Sequence, residues 1–212
     1  MSLWVRLVRF GFRLLYNEFA FTYDLVSYSV SLGAWRCWQR AALKHLPGDG
    51  RVLELAYGTG NLQIDLIEAG YSVYGHDLSP YMMQIARGKL KRKGSPVRLT
   101  RGRAQQLPYS DSTFSAVVST FPTEFVTESP TLAEVWRVME PGGRFIIVPN
   151  AIFTGATPAE AGLEWLYRIT GQRAEHGFDV QQHFYQHGFT LHMAEERCPR
   201  SVAHVLIAEK SV

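Results

Sequence analysis

The strongest constraint on the fold is a short strand-like run that leads into a glycine loop, residues 51–61, with the sequence Arg-Val-Leu-Glu-Leu-Ala-Tyr-Gly-Thr-Gly-Asn. Residues 52–55 are bounded by turn formers, which is typical of a buried parallel strand. The small residues that follow let the backbone turn tightly and let a ligand approach it closely. Leu62, Leu66 and Ile67 then share one face of an amphipathic helix. Strand, loop and helix together predict the ligand-binding unit of an open α/β sheet.

The order of the small residues separates two classes of cofactor. Dinucleotide-binding loops read G-x-G-x-x-G, and their third glycine lets the helix pack closely on the strand. Gln63 stands at that third position when counted from Gly58, so a nicotinamide-dependent oxidoreductase is disfavoured. The loop instead has an acidic residue at the strand end and small residues at alternate positions. The predicted cofactor-binding residues of this loop are Glu54, Ala56, Tyr57, Gly58 and Gly60.

A second signal comes from the next predicted strand, residues 72–77, which ends in Asp77. An acidic side chain at this place accepts hydrogen bonds from both ribose hydroxyls of an adenosine. Ser79 and Pro80 are suited to begin the following helix as its N-cap and its first-turn proline. The alternative is that Asp77 only caps that helix. The predicted cofactor contacts of this segment are Asp77, Leu78 and Met82.

These motifs resemble those of class I S-adenosylmethionine (SAM) dependent methyltransferases. The pattern E-x-A-x-G-x-G is similar to their E/D-x-G-x-G-x-G, and residues 77–82 match their D-x-S-x-x-M. Residues 102–118 are similar to the family's G-D-A-x-x-L-P-F-x-D-x-x-F-D-x-V, and residues 140–148 look like its late L-x-P-G-G-x-hydrophobic strand. Order and spacing agree from about residue 51 to residue 149. The nearest type is the ubiquinone/menaquinone C-methyltransferase group, also called methyltransferase type 11.

The resemblance implies a fold, a cofactor and further cofactor contacts. The fold is a Rossmann-like α/β domain with a seven-stranded, mostly parallel sheet, an antiparallel last strand and helices on both faces. The cofactor is SAM, and S-adenosylhomocysteine is the product. In the motif of residues 102–118, the backbone of Ala104 and the side chain of Gln105 are placed at the adenine. Thr120, at the end of the fourth strand, and Tyr23, which covers the cofactor or else is an ordinary core tyrosine, complete the predicted contacts.

Three positions depart from the family pattern. Ala56 replaces the first glycine of the loop and adds one methyl group. Arg103 stands where an aspartate commonly accepts a hydrogen bond from the adenine amino group, and a guanidinium has only donors. Arg103 therefore stacks on the adenine or points away from it. Ser115 replaces a second customary aspartate. We expect cofactor binding to survive these changes with lower affinity.

The chain divides into a helical cap, residues 1–46, and a SAM-binding domain, residues 47–212. Within that domain, residues 150–178 are expected to form an insertion over the cleft, and their aromatic content favours an apolar acceptor. The length of 212 residues and a hydrophobic content of 46% suit one domain with a sizeable core. The predicted strands are residues 52–55, 72–77, 97–101, 114–121, 144–148, 189–197 and 202–210.

Residues 3–16 are rich in apolar side chains, and Arg6, Arg9 and Arg13 form one narrow basic stripe among them. A secretory signal is disfavoured because the centre is charged and no small-residue cleavage site follows. The pattern is typical of a helix lying in a membrane interface, so residues 1–16 are the predicted peripheral membrane contact. A helix packed on its own domain or against a second subunit is the alternative, and the sequence does not determine the oligomeric state.

Composition and spacing disfavour several other classes. No apolar run is long enough to span a bilayer. The basic run of residues 87–93 ends a predicted helix and has no interleaved aromatic residues, so no nucleic-acid partner is predicted. Cys37 and Cys198, without C-x-x-C, predict neither a disulfide framework nor a zinc site and favour a reducing cytosol. His183 and His187 share a helix face, but no third ligand accompanies them, so no metal site is predicted.

The function is predicted as far as the cofactor and the class of acceptor. Glu124, after the fourth strand, is the candidate catalytic residue, which takes a proton from the acceptor or holds a cationic amine. Its alternative roles are to cap the next helix or to lie in solvent. We predict SAM-dependent methyl transfer to a small or lipid-like apolar acceptor by a cytoplasmic enzyme at a membrane surface. The alternatives are a soluble small-molecule methyltransferase without a membrane role and a SAM-binding protein that lacks turnover.

Overall fold

The computed structural model describes residues 19–155, 157–169 and 179–211. The predicted membrane-contacting helix, residues 1–16, lies outside the described residues, as do residues 156 and 170–178 of the predicted insertion. The first described element is a short 3-10 helix, Ala20–Thr22.

The described strands form one sheet. They are β1 (Arg51–Leu55), β2 (Ser72–Asp77), β3 (Leu99–Arg101), β4 (Phe114–Thr120), β5 (Met139–Val148), β6 (Ala151–Phe153), β7 (Phe189–Cys198) and β8 (Ser201–Lys210). The sheet order is β3-β2-β1-β4-β5-β8, and both β6 and β7 also pair with β8. The first five strands are parallel, whereas β8 is antiparallel to β5 and β7. The predicted mostly parallel sheet with an antiparallel last strand is therefore confirmed.

Helices cover both faces of this sheet. They are α1 (Tyr23–Val30), α2 (Trp35–Arg40), α3 (Asn61–Glu68), α4 (Pro80–Arg92), α5 (Ser129–Val138), α6 (Pro158–Ile169) and α7 (Val180–Gln186), with further 3-10 helices at Ala41–His45 and Glu124–Thr127. Successive strand residues point to opposite faces, so the core has two layers. Val52 and Val118 pack with α2, α3 and α6 on one side. Leu53 and Val117 pack with α5 and α7 on the other, which explains why β1 and β4 are apolar along their length.

The parallel strands bring the ligand-binding loops to one edge of the sheet. Because β1, β2, β4 and β5 run in the same direction, their carboxyl ends lie together, and this is the edge where open α/β sheets bind ligands. The glycine loop follows β1, Asp77 ends β2, and Thr120 and Glu124 lie at and after the end of β4.

Two strands differ from the sequence prediction. β5 begins at Met139 and not at residue 144, because Phe114 pairs with Met139 while Ala116 pairs with Arg144. Residues 140–143 therefore form a bulge beside β4. The short β6 lies inside the predicted insertion, where Ala151 pairs with Ala203 of β8. This pairing adds an eighth strand that the weak local pattern did not indicate.

The N-terminal helices pack firmly on the sheet. Trp38 of α2 is 1% exposed, and its Nε1 donates to the Oγ of Ser201 at 2.8 Å. The hydroxyl of Tyr167 on α6 donates to the carbonyl of Val30 at 2.8 Å. The described part of the chain contains no helix that is both long and apolar enough to cross a membrane.

A disulfide corrects the sequence prediction about the cysteines. Cys37 of α2 is bonded to Cys198 at the end of β7, with 5.9 Å between their Cα atoms. No spacing pattern indicates this pairing, because the two residues are 161 positions apart and meet only through the fold. The preference for a reducing cytosol, which rested on unpaired cysteines, is no longer supported by them.

We expect reduction of this disulfide to lower the stability. A crosslink over so long a loop restricts the unfolded chain and typically contributes ~2–4 kcal/mol, and each kcal/mol shifts the Tm of a domain of this size by about 2–4 °C. Thermal unfolding with and without a phosphine reductant measures the shift. The double variant Cys37→Ser/Cys198→Ser is the control and should not respond to the reductant. Two titratable thiols in denatured, unreduced protein would contradict the disulfide.

Candidate cofactor and acceptor site

The glycine loop between β1 and α3 turns through left-handed backbone conformations. Gly58 and Gly60 have φ of +54° and +77°. A Cβ on Gly60 would lie 2.8 Å from the Cβ of Ala86 on α4, so this position has no room for a side chain. Ala56 has φ of +54° although it carries a Cβ, which costs about 1–2 kcal/mol. Its N–H donates to the carbonyl of His76 at 2.8 Å, and this bond holds the strained residue in place.

Asp77 joins the end of β2 to the glycine loop. Its Oδ2 accepts a hydrogen bond from the N–H of Gly58 at 2.9 Å, and its Oδ1 accepts one from the N–H of Ser79 at 2.8 Å. Burial raises the pKa of Asp77, and the backbone N–H groups offset part of that rise. The N–H of Leu78 is a third backbone group that hydrogen-bonds this carboxylate. A carboxylate accepts up to about four hydrogen bonds, so Asp77 keeps acceptor capacity for a ligand. Its role as a ribose contact stays a prediction.

Glu54 lies beneath the loop. It is 1% exposed, and its Oε2 accepts a hydrogen bond from the Nε2 of Gln63 on α3 at 2.7 Å. The same amide also donates to the carbonyl of Tyr74 on β2 at 3.3 Å. Burial raises the pKa of Glu54 to about 8. In this arrangement Glu54 supports the loop from below and has no open surface for direct contact with a cofactor.

Tyr57 is the second buried side chain of the loop. Its ring lies against β2, because a Cβ on Gly75 would come within 2.6 Å of the Tyr57 Cδ1. The Tyr57 hydroxyl is buried and has no hydrogen-bond partner among the described residues. Burial also raises the pKa of Tyr57.

Of the other two predicted contacts near Asp77, Leu78 is 62% exposed and Met82 is buried on α4.

Asp24 of α1 closes one side of the loop. Its Oδ1 accepts hydrogen bonds from the Thr59 hydroxyl at 2.6 Å and from the Nδ2 of Asn61 at 2.9 Å, and its Oδ2 accepts one from the Nζ of Lys89 at 2.5 Å. Burial tends to raise the pKa of Asp24, but these contacts outweigh burial and lower it. The neighbouring Tyr23 meets the edge of a tryptophan ring instead, with 6.2 Å between ring centroids. Asp24 is thus a residue of α1 that contacts the loop, while the role of Tyr23 as a cofactor contact stays a prediction.

His76 supports the segment after β3 from below. Its Nε2 lies 3.3 Å from the carbonyl of Arg103, and its Nδ1 lies 2.8 Å from the Oγ1 of Thr100. A Cβ on Gly102 would lie 2.9 Å from the His76 ring, so the segment passes directly over the imidazole. Burial lowers the pKa of His76, which favours the neutral ring.

The predicted adenine contacts lie on this segment. Gln105 is half-buried, and its Nε2 donates to the Oε2 of Glu128 at 2.6 Å, which leaves the amide oxygen of Gln105 as a hydrogen-bond acceptor. Ala104 packs against the core layer of α5, and Arg103 is exposed. The amide oxygen of Gln105 is therefore an acceptor of the kind that an aspartate at position 103 commonly supplies in the family.

Aromatic side chains surround the carboxyl end of β4. Phe121 stacks on Trp35 of α2 with 4.2 Å between ring centroids and an interplanar angle of 25°. Trp38 lies 5.9 Å from Phe121 and 5.5 Å from Phe153 of β6. Thr120, the last residue of β4, is 9% exposed. The end of β4 therefore faces a flat, apolar wall.

Glu124 is exposed on the 3-10 helix that follows β4. His183 of α7 anchors this helix, because its Nε2 lies 2.7 Å from the carbonyl of Thr127. The Nδ1 of His187 lies 2.9 Å from the carbonyl of His183. Both imidazoles thus contact backbone, and no cluster of three or more metal-ligating side chains occurs in residues 19–155, 157–169 and 179–211.

Comparisons with known proteins identify the family. Residues 52–143 match the model named methyltransferase domain. A demethylmenaquinone methyltransferase of Deinococcus radiodurans is 39% identical over 141 residues, which cover 63% of this chain and 58% of the relative, less than two thirds of its length. Another from Thermus thermophilus is 35% identical over 166 residues, 75% of this chain and 72% of the relative. The chain belongs to the class I SAM-dependent methyltransferases.

Within this family the chain lies in the quinone C-methyltransferase group. The crystal structure of a SAM-dependent methyltransferase from Thermotoga maritima has the same fold, with a TM-score of 0.64, 19% identity and coverage of 93% of this chain and 98% of that one. The Rossmann-like architecture predicted from the sequence is therefore confirmed.

The methyltransferase loop has the features that SAM needs. A Cβ on Gly58 would meet no described atom within 4 Å, so a ligand has room against the backbone there. Asp77 keeps acceptor capacity for a ribose hydroxyl, and the Tyr57 hydroxyl is a buried group without a partner among the described residues. These three residues fit the cofactor of the family, while their individual roles stay predictions.

Sequence reasoning missed three residues of the methyltransferase site. Asp24, His76 and Glu128 contact the loops that face the ligand, but each acts through another residue. Asp24 had one usable signal, because it directly follows Tyr23, which the sequence predicts as a cofactor contact. His76 and Glu128 gave none, since their contacts join residues that are far apart in the chain.

We expect the substitution Glu54→Gln to change how stability depends on pH. The pKa of about 8 in the folded protein lies above the ordinary glutamate value of about 4.5, so the wild type is fully stabilised below about pH 4.5 and loses stability as the pH rises through 8. Ionisation of this one group lowers the free energy of unfolding by up to about 5 kcal/mol. Glutamine is neutral at every pH, so the variant does not undergo this loss. The variant should match the wild type near pH 5 and exceed it near pH 8.

Urea unfolding at several pH values measures this difference. The control is Glu68→Gln on the exposed face of α3, where the salt bridge with Lys93 lowers the pKa, so its removal acts in the opposite direction. Parallel pH profiles for the wild type and Glu54→Gln would show that Glu54 is ionised in the folded protein.

Proposed function

We propose that this protein transfers a methyl group from SAM to a ring carbon of an apolar, quinone-type acceptor. The observation that carries the proposal is the aromatic wall at the end of β4, where Trp35 stacks on Phe121 beside the glycine-loop edge of the sheet. Flat rings stack on such walls, and ligands of open α/β sheets lie at this edge. The names of the two demethylmenaquinone methyltransferase relatives support the same class of acceptor.

Different residues at this edge of the sheet hold different parts of the cofactor. Asp77 accepts from the ribose hydroxyls, and the backbone at Gly58 allows close approach. The amide oxygen of Gln105 and the backbone of Ala104 hold the adenine edge. When bound, SAM supplies a methyl group on a sulfonium sulfur that leaves as neutral S-adenosylhomocysteine. Alignment of the two reactants supplies most of the rate, an effect worth up to roughly 7–11 kcal/mol in well-oriented systems.

Glu124 is the proposed base. The ring hydroxyl gives up its proton, and the ring carbon bonds to the methyl group as that group leaves the sulfur. The ring carbon then gives up its own proton while the oxygen regains one, so one proton in total is released for each methyl group transferred. The carboxylate of Glu124 stands on the turn directly after β4 and accepts the hydroxyl proton in this scheme. General-base catalysis of this kind contributes about 10²–10⁴ in rate.

A SAM-binding protein without turnover is the second candidate function. Arg103 favours it, because this residue removes the aspartate that commonly accepts from the adenine amino group. Such a protein would bind SAM and release no S-adenosylhomocysteine with any acceptor.

Methyl transfer is tested with a demethylated naphthoquinol that carries a short prenyl chain, kept reduced under nitrogen. We expect equal amounts of methylated product and S-adenosylhomocysteine, measured by mass spectrometry. Asp77→Ala should weaken SAM binding about 30-fold or more by calorimetry, since hydrogen bonds to charged groups contribute ~1.5–3 kcal/mol each. Glu124→Gln should lower kcat about 100-fold without changing SAM affinity.

Asp111→Ala is the control for that experiment. Asp111 is exposed and pairs with Arg137 away from the loop, so its removal should leave SAM affinity unchanged. SAM binding by the wild type without product from any quinol would favour the second candidate function. Unchanged SAM affinity in a folded Asp77→Ala variant would contradict the cofactor assignment itself.

We further propose that the enzyme works at a membrane surface. The first described helices expose three apolar side chains, Phe21, Leu25 and Tyr28, which are 73%, 68% and 65% exposed. Their spacing puts them on one side of the helix, whereas Asp24 contacts the glycine loop from another. This apolar face directly follows the predicted interfacial helix, residues 1–16, and adds to the surface that a bilayer would cover. The alternative is a soluble methyltransferase without membrane contact.

Flotation with anionic liposomes tests the membrane proposal. We expect full-length protein to float, and both a form lacking residues 1–16 and the variant Phe21→Ser/Leu25→Ser/Tyr28→Ser to remain at the bottom of the gradient. Tyr185→Ser is the matched control, since Tyr185 is 76% exposed on α7, and it should float like the wild type. Equal recovery of all four proteins in the floating fraction, or in the pellet, would contradict the proposal.

A further inference from the structure

Helix α2 presents two large polar side chains to the end of β4. Trp35 and Gln39 are four residues apart and therefore share one face of the helix. The Trp35 ring stacks on Phe121 at 4.2 Å between centroids, and the Nε2 of Gln39 lies 3.5 Å from the Oγ1 of Thr120. Both side chains thus lie where the acceptor is proposed to bind.

Each of these side chains has a polar atom without a partner. The Nε1 of Trp35 and the Oε1 of Gln39 are buried and make no hydrogen bond with any described residue. Gln39 as a whole is 8% exposed, so bulk water does not satisfy its amide oxygen. Buried polar groups are nearly always paired with protein, ordered water or a ligand. One of the two atoms is a donor and the other is an acceptor.

A third atom of the same kind lies on the neighbouring strand. Asn150 follows β5, and its Oδ1 is also buried without a partner within the described ranges. The ends of β4 and β5 are adjacent, because the N–H of Phe121 donates to the carbonyl of Val148 at 2.7 Å. The elements around the end of β4 therefore carry one unpaired donor and two unpaired acceptors.

We infer that Trp35 and Gln39 recognise the oxygen-bearing end of the acceptor ring. The indole N–H of Trp35 donates to a ring oxygen, and the amide oxygen of Gln39 accepts from a ring hydroxyl. This inference rests on the proposed methyl transfer to a quinone-type ring and adds the residues that orient that ring. An acceptor held in this way points its oxygen toward α2 and keeps a fixed orientation at the end of β4.

The same contacts select the class of ligand. An aromatic ring with a hydroxyl group pairs with both the donor and the acceptor, whereas a ring without oxygen leaves them unpaired. A site that is built to hydrogen-bond a hydroxyl rejects an analogue that lacks it more strongly than an apolar pocket rejects a change of size. Trp35 and Gln39 are therefore proposed as specificity-determining residues, and the stacked rings supply the apolar contact.

Calorimetry on the full-length protein loaded with S-adenosylhomocysteine tests this inference. The probe is a 1,4-dihydroxynaphthalene with a short prenyl chain, titrated under nitrogen. Trp35→Phe and Gln39→Met each remove one polar atom and keep most of the side-chain volume. We expect each to raise the Kd of the probe about tenfold or more, which is the effect of one lost hydrogen bond. The Kd of SAM should stay unchanged.

Matched controls remove the same groups elsewhere. Trp136→Phe changes a 41% exposed tryptophan on α5, and Gln182→Met changes an exposed glutamine on α7. Neither should alter the Kd of the probe. A second probe, the prenylated naphthalene without ring oxygen, should bind the wild type, Trp35→Phe and Gln39→Met equally, which a merely structural role of these residues would not produce.

The outcomes separate this inference from the proposed function. An unchanged Kd for the dihydroxy probe in folded Trp35→Phe and Gln39→Met would overturn the inference, as would failure of the wild type to bind that probe. If the wild type binds the probe but forms no methylated product with SAM, the proposed function fails. The two variants then still decide whether Trp35 and Gln39 recognise the ring.

Discussion

The carboxylate of Asp77 is the contact on which the cofactor edge of the fold depends. It accepts backbone hydrogen bonds from Gly58 and Ser79, so one side chain holds the glycine loop after β1 against the turn after β2. The loop is thus shaped before a ligand arrives, which reduces the entropy lost on binding. Ala56 is tolerated in a left-handed conformation because the carbonyl of His76 holds its N–H in the same assembly.

A second set of contacts fixes the other half of the site. The Cys37–Cys198 disulfide and the hydrogen bond from Trp38 to Ser201 tie helix α2 to the hairpin of β7 and β8. Rigid attachment of α2 holds the Trp35 ring against Phe121 at the end of β4. Because Asp24 of the preceding helix contacts the glycine loop, the N-terminal helices touch both ligand regions.

The backbone is strained at the end of β4, beside the residues that these contacts hold in place. Phe121 has φ of +51°, a conformation that costs a residue with a side chain about 1–2 kcal/mol. Its N–H bond to Val148 and its stack on Trp35 offset that cost. Residues in such conformations occur often at functional sites, where the surrounding structure holds them in place. The strained backbone of Phe121 and the unpaired polar atoms of Trp35 and Gln39 thus lie at the same place in the fold.

The sequence by itself determined the class of sheet, the family and the two ends of the cofactor loop, because glycine spacing, apolar runs and Asp77 are local signals that act over a few residues. Only the tertiary structure decided that Glu54 lies beneath the loop, that Cys37 meets Cys198 and that Trp35 and Gln39 lie against the end of β4. Those arrangements join segments that are far apart in the chain. They follow from how helices pack on the sheet, which no local pattern records.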